Sequence, residues 1–325
     1  MLRWSIIFVF VCLAACGPRV QKFGPQVAPP QLTEDHFITG DGVTLPLRTW
    51  SAKGSAKAVI VALHGFQMYS GHFQDAGPWW AANGITTIAY DQRGHGGAPE
   101  RGIWGGVAAL TSDAAEIVAA VKREYSGKPL FLLGSSMGGA VVLATAARRV
   151  LPADGIILIA PAVWGGEAMH PVARTSIWLA AHMMPWNHAS ASDIRRQASD
   201  NIPMLKANGR DELNIFQTRF DTLYGLTDLM ATGFDASAEV AMPTLVLYGE
   251  KDQIIPSSAV YRAVDRLPGN PRFVVYPDGW HMLLRDLQAQ TVWRDVAAWV
   301  KNRQISMPSG FEVKDIQTAR SRSSK

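Results

Sequence analysis

The chain has 325 residues, 48% hydrophobic and 18% charged, with 31 basic against 27 acidic side chains and a formal net charge of +4. That apolar content is enough for the core of a large α/β domain and excludes a mainly disordered chain, whose signature is low hydrophobicity with high net charge. Near charge balance without a long basic run in the body points away from nucleic acid, and collagen-like, coiled-coil and multi-span membrane classes fail on composition. The only cysteines, Cys12 and Cys16, lie at the N-terminal end. The body is therefore left without a disulfide scaffold, a Cys-ligated zinc site or a cysteine nucleophile.

In chain order, Arg3 supplies a positive charge and an apolar run follows from Trp4 to Ala15. At about a dozen residues it is short of the roughly 17–25 that span a bilayer, and it matches the core of a signal peptide. Leu13-Ala14-Ala15-Cys16 resembles the bacterial lipobox. That resemblance implies removal of residues 1–15 and a lipid on Cys16. With Gly17 rather than Asp after the cysteine, it also implies a site in the bacterial cell envelope, on the outer membrane facing the periplasm. Residues 16–31, rich in Pro and Gly, are expected to be the lipidated cysteine and a flexible tether of up to about 50 Å.

A core follows at residues 32–162. It opens with an antiparallel hairpin, 37–39 and 43–50, across Gly40-Asp41-Gly42. Unbroken Val/Ile/Leu runs at 58–63, 85–90, 130–133, 155–160, 244–248 and 273–276 have the composition of strands buried on both faces. Helical patterns at 112–125, 139–149 and 292–303 lie between and after them. The alternation predicts an α/β fold with a doubly wound, mostly parallel sheet. About eighty residues separate the strand at 155–160 from the one at 244–248, far more than a βα connection needs. An inserted helical cap at residues 163–236 is the economical account. The second part of the core then runs from 237 to 306, and a polar tail, 307–325, is expected to be disordered.

The sharpest chemical signal is Gly134-Ser135-Ser136-Met137-Gly138, which ends a buried strand and opens a helix. Such a turn holds its central residue in strained geometry, so its flanks must be small, and the frame makes Ser136 the nucleophile. A serine hydroxyl needs a base to take its proton, and the base needs an acid to orient it. His281 is the one histidine downstream of the insertion, in a loop after the strand at 273–276. Asp252 follows the strand at 244–248, with Glu250 and Asp278 as rivals for its role. Oxyanion donors are expected at the backbone N–H groups of Met137, after the nucleophile, and of Phe66, in the loop after the strand at 58–63. His64 is expected to brace that loop.

His64-Gly65-Phe66, Tyr90-Asp91-Gln92-Arg93-Gly94-His95-Gly96, GSSMGG, YGEKD and GWH together resemble the α/β-hydrolase superfamily. Within it, they look like the group of monoacylglycerol lipases, lysophospholipases and S33-type serine hydrolases. The resemblance covers roughly residues 33–303. It implies catalytic Ser136, Asp252 and His281, an oxyanion hole at Phe66 and Met137, and a helical cap. Asp91, Arg93 and His95 match a scaffolding loop near the site. Gly97-Ala98-Pro99 departs from the family pattern, which commonly has a small polar residue after GHG.

In the cap, Trp164, Trp178, Met183 and Trp186 suit a deformable cover over an acyl chain, or else a small core of the cap itself. His170, His182 and His188 lack metal-ligand spacing, and no metal or cofactor is expected. The expected partner is a lipid or small ester substrate, with the membrane reached through the N-terminal lipid. The expected activity is hydrolysis of lipid carboxylic esters, of monoacylglycerol or lysophospholipid type, through an acyl-enzyme. An S33-type aminopeptidase or amidase is the alternative, with Glu167 or Asp193 to hold a substrate ammonium. A non-catalytic binding protein is the third, disfavoured by the intact Ser, Asp and His set.

Overall fold

The computed structural model describes residues 17–166, 169–190 and 196–314. The expected signal peptide, residues 1–15, together with Cys16, Glu167, Asp193 and residues 315–325, lies outside the described residues.

The first strands are β1 Gln31–Leu32, β2 His36–Ile38, β3 Thr44–Trp50 and β4 Ala58–Leu63. Helix α1 (Ala76–Ala82), β5 (Ile85–Tyr90), α2 (Val107–Glu124), β6 (Leu130–Ser135), α3 (Met137–Arg148) and β7 (Gly155–Ile159) complete the first half of the core. The insertion holds α4 (Pro171–Met183), β8 (His188–Ser190), α5 (Ile202–Asn208), β9 (Gln217–Arg219) and α6 (Phe220–Ala236). The core then resumes with β10 (Thr244–Gly249), α7 (Ser257–Arg266), β11 (Arg272–Tyr276) and α8 (Ala289–Lys301).

One nine-stranded sheet runs in the order β1-β2-β3-β5-β4-β6-β7-β10-β11. It is parallel from β5 to β11, and β1, β2 and β3 pair antiparallel at one edge, β3 closing onto β5. The expected hairpin is β2 and β3, turning through Gly42, whose φ of 85° suits a residue without Cβ. β4 shows why its sequence does not alternate. Val59, Val61 and Leu63 enter the apolar layer under α2, α3 and α7, while Ala58, Ile60 and Ala62 enter the layer under α1 and α8. Each fully buried aliphatic side chain contributes about 1.5–3 kcal/mol, so this strand prefers the middle of the sheet to an edge.

The insertion between β7 and β10 is the expected cap, with a two-stranded antiparallel ribbon, β8 and β9, that the sequence pattern did not reveal. Helix α6 lies tight against α3: a Cβ on Gly233 would come within 3.0 Å of Ala140 Cα.

Both chain ends depart from expectation. Residues 17–31 are seated on the body instead of hanging free from residue 17 onward. Gln21 Nε2 donates toward the carbonyls of Pro99, Glu100 and Ile103, Phe23 covers the Arg93 guanidinium at 5.7 Å, and the Val27 N–H donates to Gly40 O at 2.7 Å. Composition marks this stretch as aperiodic, but a chain without periodicity can still satisfy loop carbonyls one by one. At the other end, the tail does not leave the body at 307. Met307 is buried, the Val313 N–H donates to Phe273 O at 2.8 Å, and Glu312 pairs with Arg272.

Candidate active site

The link from β6 to α3 is a single sharp turn. Ser136 sits at its apex with φ 51° and ψ −115°, which costs a non-glycine residue of order 1–3 kcal/mol. Its neighbours leave no room for a side chain: a Cβ on Gly134 would lie 2.3 Å from Gly138 O, and one on Gly138 would lie 2.3 Å from Leu63 O. Hydrogen bonds from the adjoining chain hold the strained residue. The Ser136 N–H donates to Ile159 O at 2.9 Å, and Ser136 O accepts from the N–H groups of Gly139 and Ala162, each at 2.9 Å.

The loops after β10 and β11 pack backbone to backbone, since a Cβ on Gly249 would come within 2.5 Å of Gly279 C. That contact brings Asp252 and His281 to the strand ends beside Ser136. Ser136 Oγ lies 3.0 Å from His281 Nε2, and His281 Nδ1 lies 2.8 Å from Asp252 Oδ2. The second carboxylate oxygen, Oδ1, accepts from the N–H groups of Ile254 and Ile255 at 2.7 and 3.0 Å. An ionised carboxylate only accepts, so the imidazole proton sits on Nδ1 and the Nε2 lone pair faces the serine hydroxyl. The rival acids lie elsewhere: Glu250 is exposed, and Asp278 pairs at the surface with Lys251 at 2.6 Å.

The His281 loop has a support that was not read from the sequence. Buried Asp286 accepts from the Trp280 N–H at 2.8 Å and from Ser199 Oγ at 2.6 Å. Burial pushes its carboxyl up to about 6, against those two hydrogen bonds, which act the other way. No residue type or spacing in GWHMLLRD signals this role, because the partner Ser199 belongs to the cap.

The loop after β4 abuts Ser136: a Cβ on Gly65 would lie 3.3 Å from Ser136 Cβ. Phe66 follows Gly65 directly in this loop. Met137 opens α3, so its N–H has no partner within the helix and adds to the positive end of the helix dipole. The two expected oxyanion donors are thus the residue after Ser136 and the residue after Gly65, which packs against it. His64 braces the loop, as expected. Its Nδ1–H donates to Gly65 O at 2.8 Å, while Nε2 accepts from the Gln92 N–H at 3.0 Å. His95 donates from Nδ1 to Arg93 O at 3.0 Å and sets its ring against Phe66 at 5.6 Å; burial lowers it to about 3, so it is neutral at working pH. Asp91 ties down the N–H groups of Ser70 and Gly97, and buried Arg93 pairs with Asp41 and Asp113. The loop 91–97 is thus scaffold.

The expected cap residues divide. Trp164 is half-buried against the core. Trp178, Met183 and Trp186 are 46%, 58% and 52% exposed, so they form no core of their own. Trp178 stacks on His182 at 4.3 Å and, with Met169, Tyr224 and Ala231, lines a cavity of about 420 Å³ between α4 and α6. No group of three metal-ligating side chains occurs among the described residues.

Comparison with known proteins agrees with this architecture. Monoglyceride lipase of Homo sapiens is 26% identical over 274 residues, covering 82% of this chain and 90% of the relative. Monoacylglycerol lipase of Mycolicibacterium smegmatis is 24% identical over 277 residues, covering 82% of this chain and 96% of the relative. Among solved structures, a soluble variant of monoglyceride lipase from Saccharomyces cerevisiae, in complex with a substrate analog, superposes with a TM-score of 0.72 at 18% identity. That alignment covers 87% of this chain and 99% of the other, and it establishes a shared fold. The family model described as serine aminopeptidase, S33, matches residues 54–288, most of the chain: the protein is a hydrolase and belongs to that family.

Proposed function

We propose that the protein is a serine hydrolase that cleaves carboxylic esters of monoacyl lipids, of monoacylglycerol or lysophospholipid type. The observation that carries the reading is the hydrogen-bonded series Ser136–His281–Asp252, at 3.0 and 2.8 Å, on a strained turn between two expected N–H donors. The names of the monoglyceride and monoacylglycerol lipase relatives support the substrate class.

In this reading Ser136 Oγ attacks the ester carbonyl as its proton passes to His281 Nε2. Asp252 keeps the imidazole in the receptive tautomer and balances the imidazolium. The N–H groups of Phe66 and Met137 receive the oxyanion. The imidazolium protonates the departing alcohol, which leaves an acyl group on Ser136. A water molecule, deprotonated by His281, then releases the carboxylic acid and restores the serine.

Initial rates on p-nitrophenyl esters of increasing acyl length, followed by monoacylglycerols and lysophospholipids, test the reading. The expected result is a maximum at medium or long chains that Ser136→Ala lowers by at least about 10⁴-fold. Activity unchanged in that variant overturns it. The family's aminopeptidase description makes an aminoacyl arylamide the required control, and faster turnover of that amide than of any ester would give the chain to the peptidase reading. We further propose that Cys16 carries the lipid that holds the protein to the bacterial outer membrane, facing the periplasm, in keeping with Leu13-Ala14-Ala15-Cys16. Metabolic labelling with a fatty-acid probe should mark the wild type and not Cys16→Ala.

A further inference from the structure

The residue after the expected oxyanion donor Phe66 is held by the cap. Residues 65–68 form a tight turn, with the Met68 N–H reaching Gly65 O at 3.3 Å. Gln67, at its third position, has φ 64°, a conformation that such a turn usually assigns to glycine. Among the described residues, no hydrogen bond to Gln67 itself comes from the core. Its partners come instead from the cap segment leading into β9. Gln67 O accepts from the Ile215 N–H at 2.9 Å, and Gln67 Nε2 donates to the hydroxyl of buried Thr218 at 2.6 Å. Beyond the turn, the Tyr69 hydroxyl donates to Asp211 Oδ2 at 2.8 Å, a third hydrogen bond between the cap and this loop.

From this geometry we infer that Gln67 is a positioning residue through which the cap sets the aim of the Phe66 N–H at the oxyanion. The inference rests on the serine-hydrolase reading above. A Gln67 released from the strap can relax to negative φ; that turns the Phe66–Gln67 peptide and shifts Phe66 Cα, to which the Gly65–Phe66 peptide carrying the Phe66 N–H is also joined. An N–H donor displaced by a fraction of an ångström loses value in the transition state, where charge develops, and far less in the ground-state complex. The clamp therefore acts on kcat and leaves KM for a small ester nearly unchanged. It also gives the cap a role in turnover of substrates too short to touch its outer surface.

The test uses the full-length protein and p-nitrophenyl acetate. Thr218→Val removes the acceptor hydroxyl, is close in shape, and leaves the oxyanion loop untouched. It should lower kcat by about 10- to 100-fold with KM within about twofold. Thr218→Ser, which keeps the hydroxyl, should restore most of kcat. Gln67→Met should resemble Thr218→Val, and the double variant should be no worse than either single one, since both cut the same link. Affinity for an alkyl boronic acid, which forms a tetrahedral adduct on the serine, should fall in step with kcat. An unchanged kcat in Thr218→Val, with Ser136→Ala dead, overturns the inference and leaves the serine reading intact. So does a loss carried by KM, or a Thr218→Ser variant as impaired as Thr218→Val. Hydrolysis that survives in Ser136→Ala overturns both.

Discussion

The two halves of the inserted cap are held in opposite ways. In the first half, α4 buries only Ala181 and leaves Val172, Trp178, Leu179 and Met183 at the surface. The second half is bolted to the loops that carry His281 and Phe66. Ala198 O accepts from the Met282 N–H at 2.9 Å, Ser199 donates to Asp286 at 2.6 Å, and Asn201 Nδ2 donates to Arg285 O at 2.9 Å, all on the His281 loop. Ile215 and Thr218 hold the Phe66 loop, and Thr222 Oγ1 donates to Gly102 O at 2.9 Å. An element with few buried contacts is the one free to open locally, whereas hydrogen bonds to site loops make their owner part of the site. The cap is therefore two devices: an outer apolar helix facing the surroundings and an inner strap that completes the site.

The sharpest way to break this contrast is at Asp286. Replacing it with Ala leaves the Trp280 N–H and the Ser199 hydroxyl without a buried acceptor, a loss of about 2–4 kcal/mol for the two groups. The His281 loop should loosen with it. We expect a fall of about tenfold or more in kcat and a lower denaturation midpoint, read by steady-state rates and chemical unfolding on the same preparation. If Asp286→Ala left both unchanged, the inner strap would be ornament.

The same carboxyl sharpens the contrast through pH. Burial raises Asp286 to about 6 from an ordinary 3.8, so the folded state takes up its proton more readily than the unfolded chain. The sign follows by linkage: this group's contribution to stability is greatest below about 4 and is lost as pH rises through about 6. The amplitude is on the order of 1–3 kcal/mol. Asp286→Asn keeps an oxygen for the Trp280 N–H and removes the titration. Unfolding free energies measured from pH 4 to 7 should therefore lose this descending component in the variant, and a slope identical to wild type would remove Asp286 as its source.

How much of this was legible in the chain depends on the distance over which each contact is made. β4, β5 and β7 could be read because burial on both faces writes itself into consecutive residues. Ser136 could be read because the positions two before and two after it must be glycine, and His281 because the insertion leaves one histidine beyond it. Gln67 and Ser199 could not. Gln67 meets Thr218 across 151 positions and Ser199 meets Asp286 across 87, so neither pair leaves a local pattern. The seated segment 17–31 escaped for a related reason, since Gln21 has no apolar rhythm and docks through one amide on three carbonyls. Replacing that side chain by Ala should cost about 1–2 kcal/mol of stability without changing turnover. A thermal melt beside a rate measurement separates the two, and a matching loss of kcat would make this segment part of the site.

The smallest effect is expected on the outer helix, and its smallness is the point. Trp178 and Met183 of that helix, and Trp186 just beyond it, are each about half exposed, so replacing them together by Ser removes little buried area. The change in stability should stay within about 0.5 kcal/mol per position, the usual range for surface sites. Turnover of p-nitrophenyl acetate should be unchanged, because the inner strap, its Gln67 and Ser199 contacts intact, still holds both site loops. Any defect should surface only with long-chain esters presented in micelles or vesicles, where an exposed apolar face has something to meet. Equal losses on acetate and on a long-chain ester would mean that the outer helix also supports the site, and the division of the cap into two devices would fall.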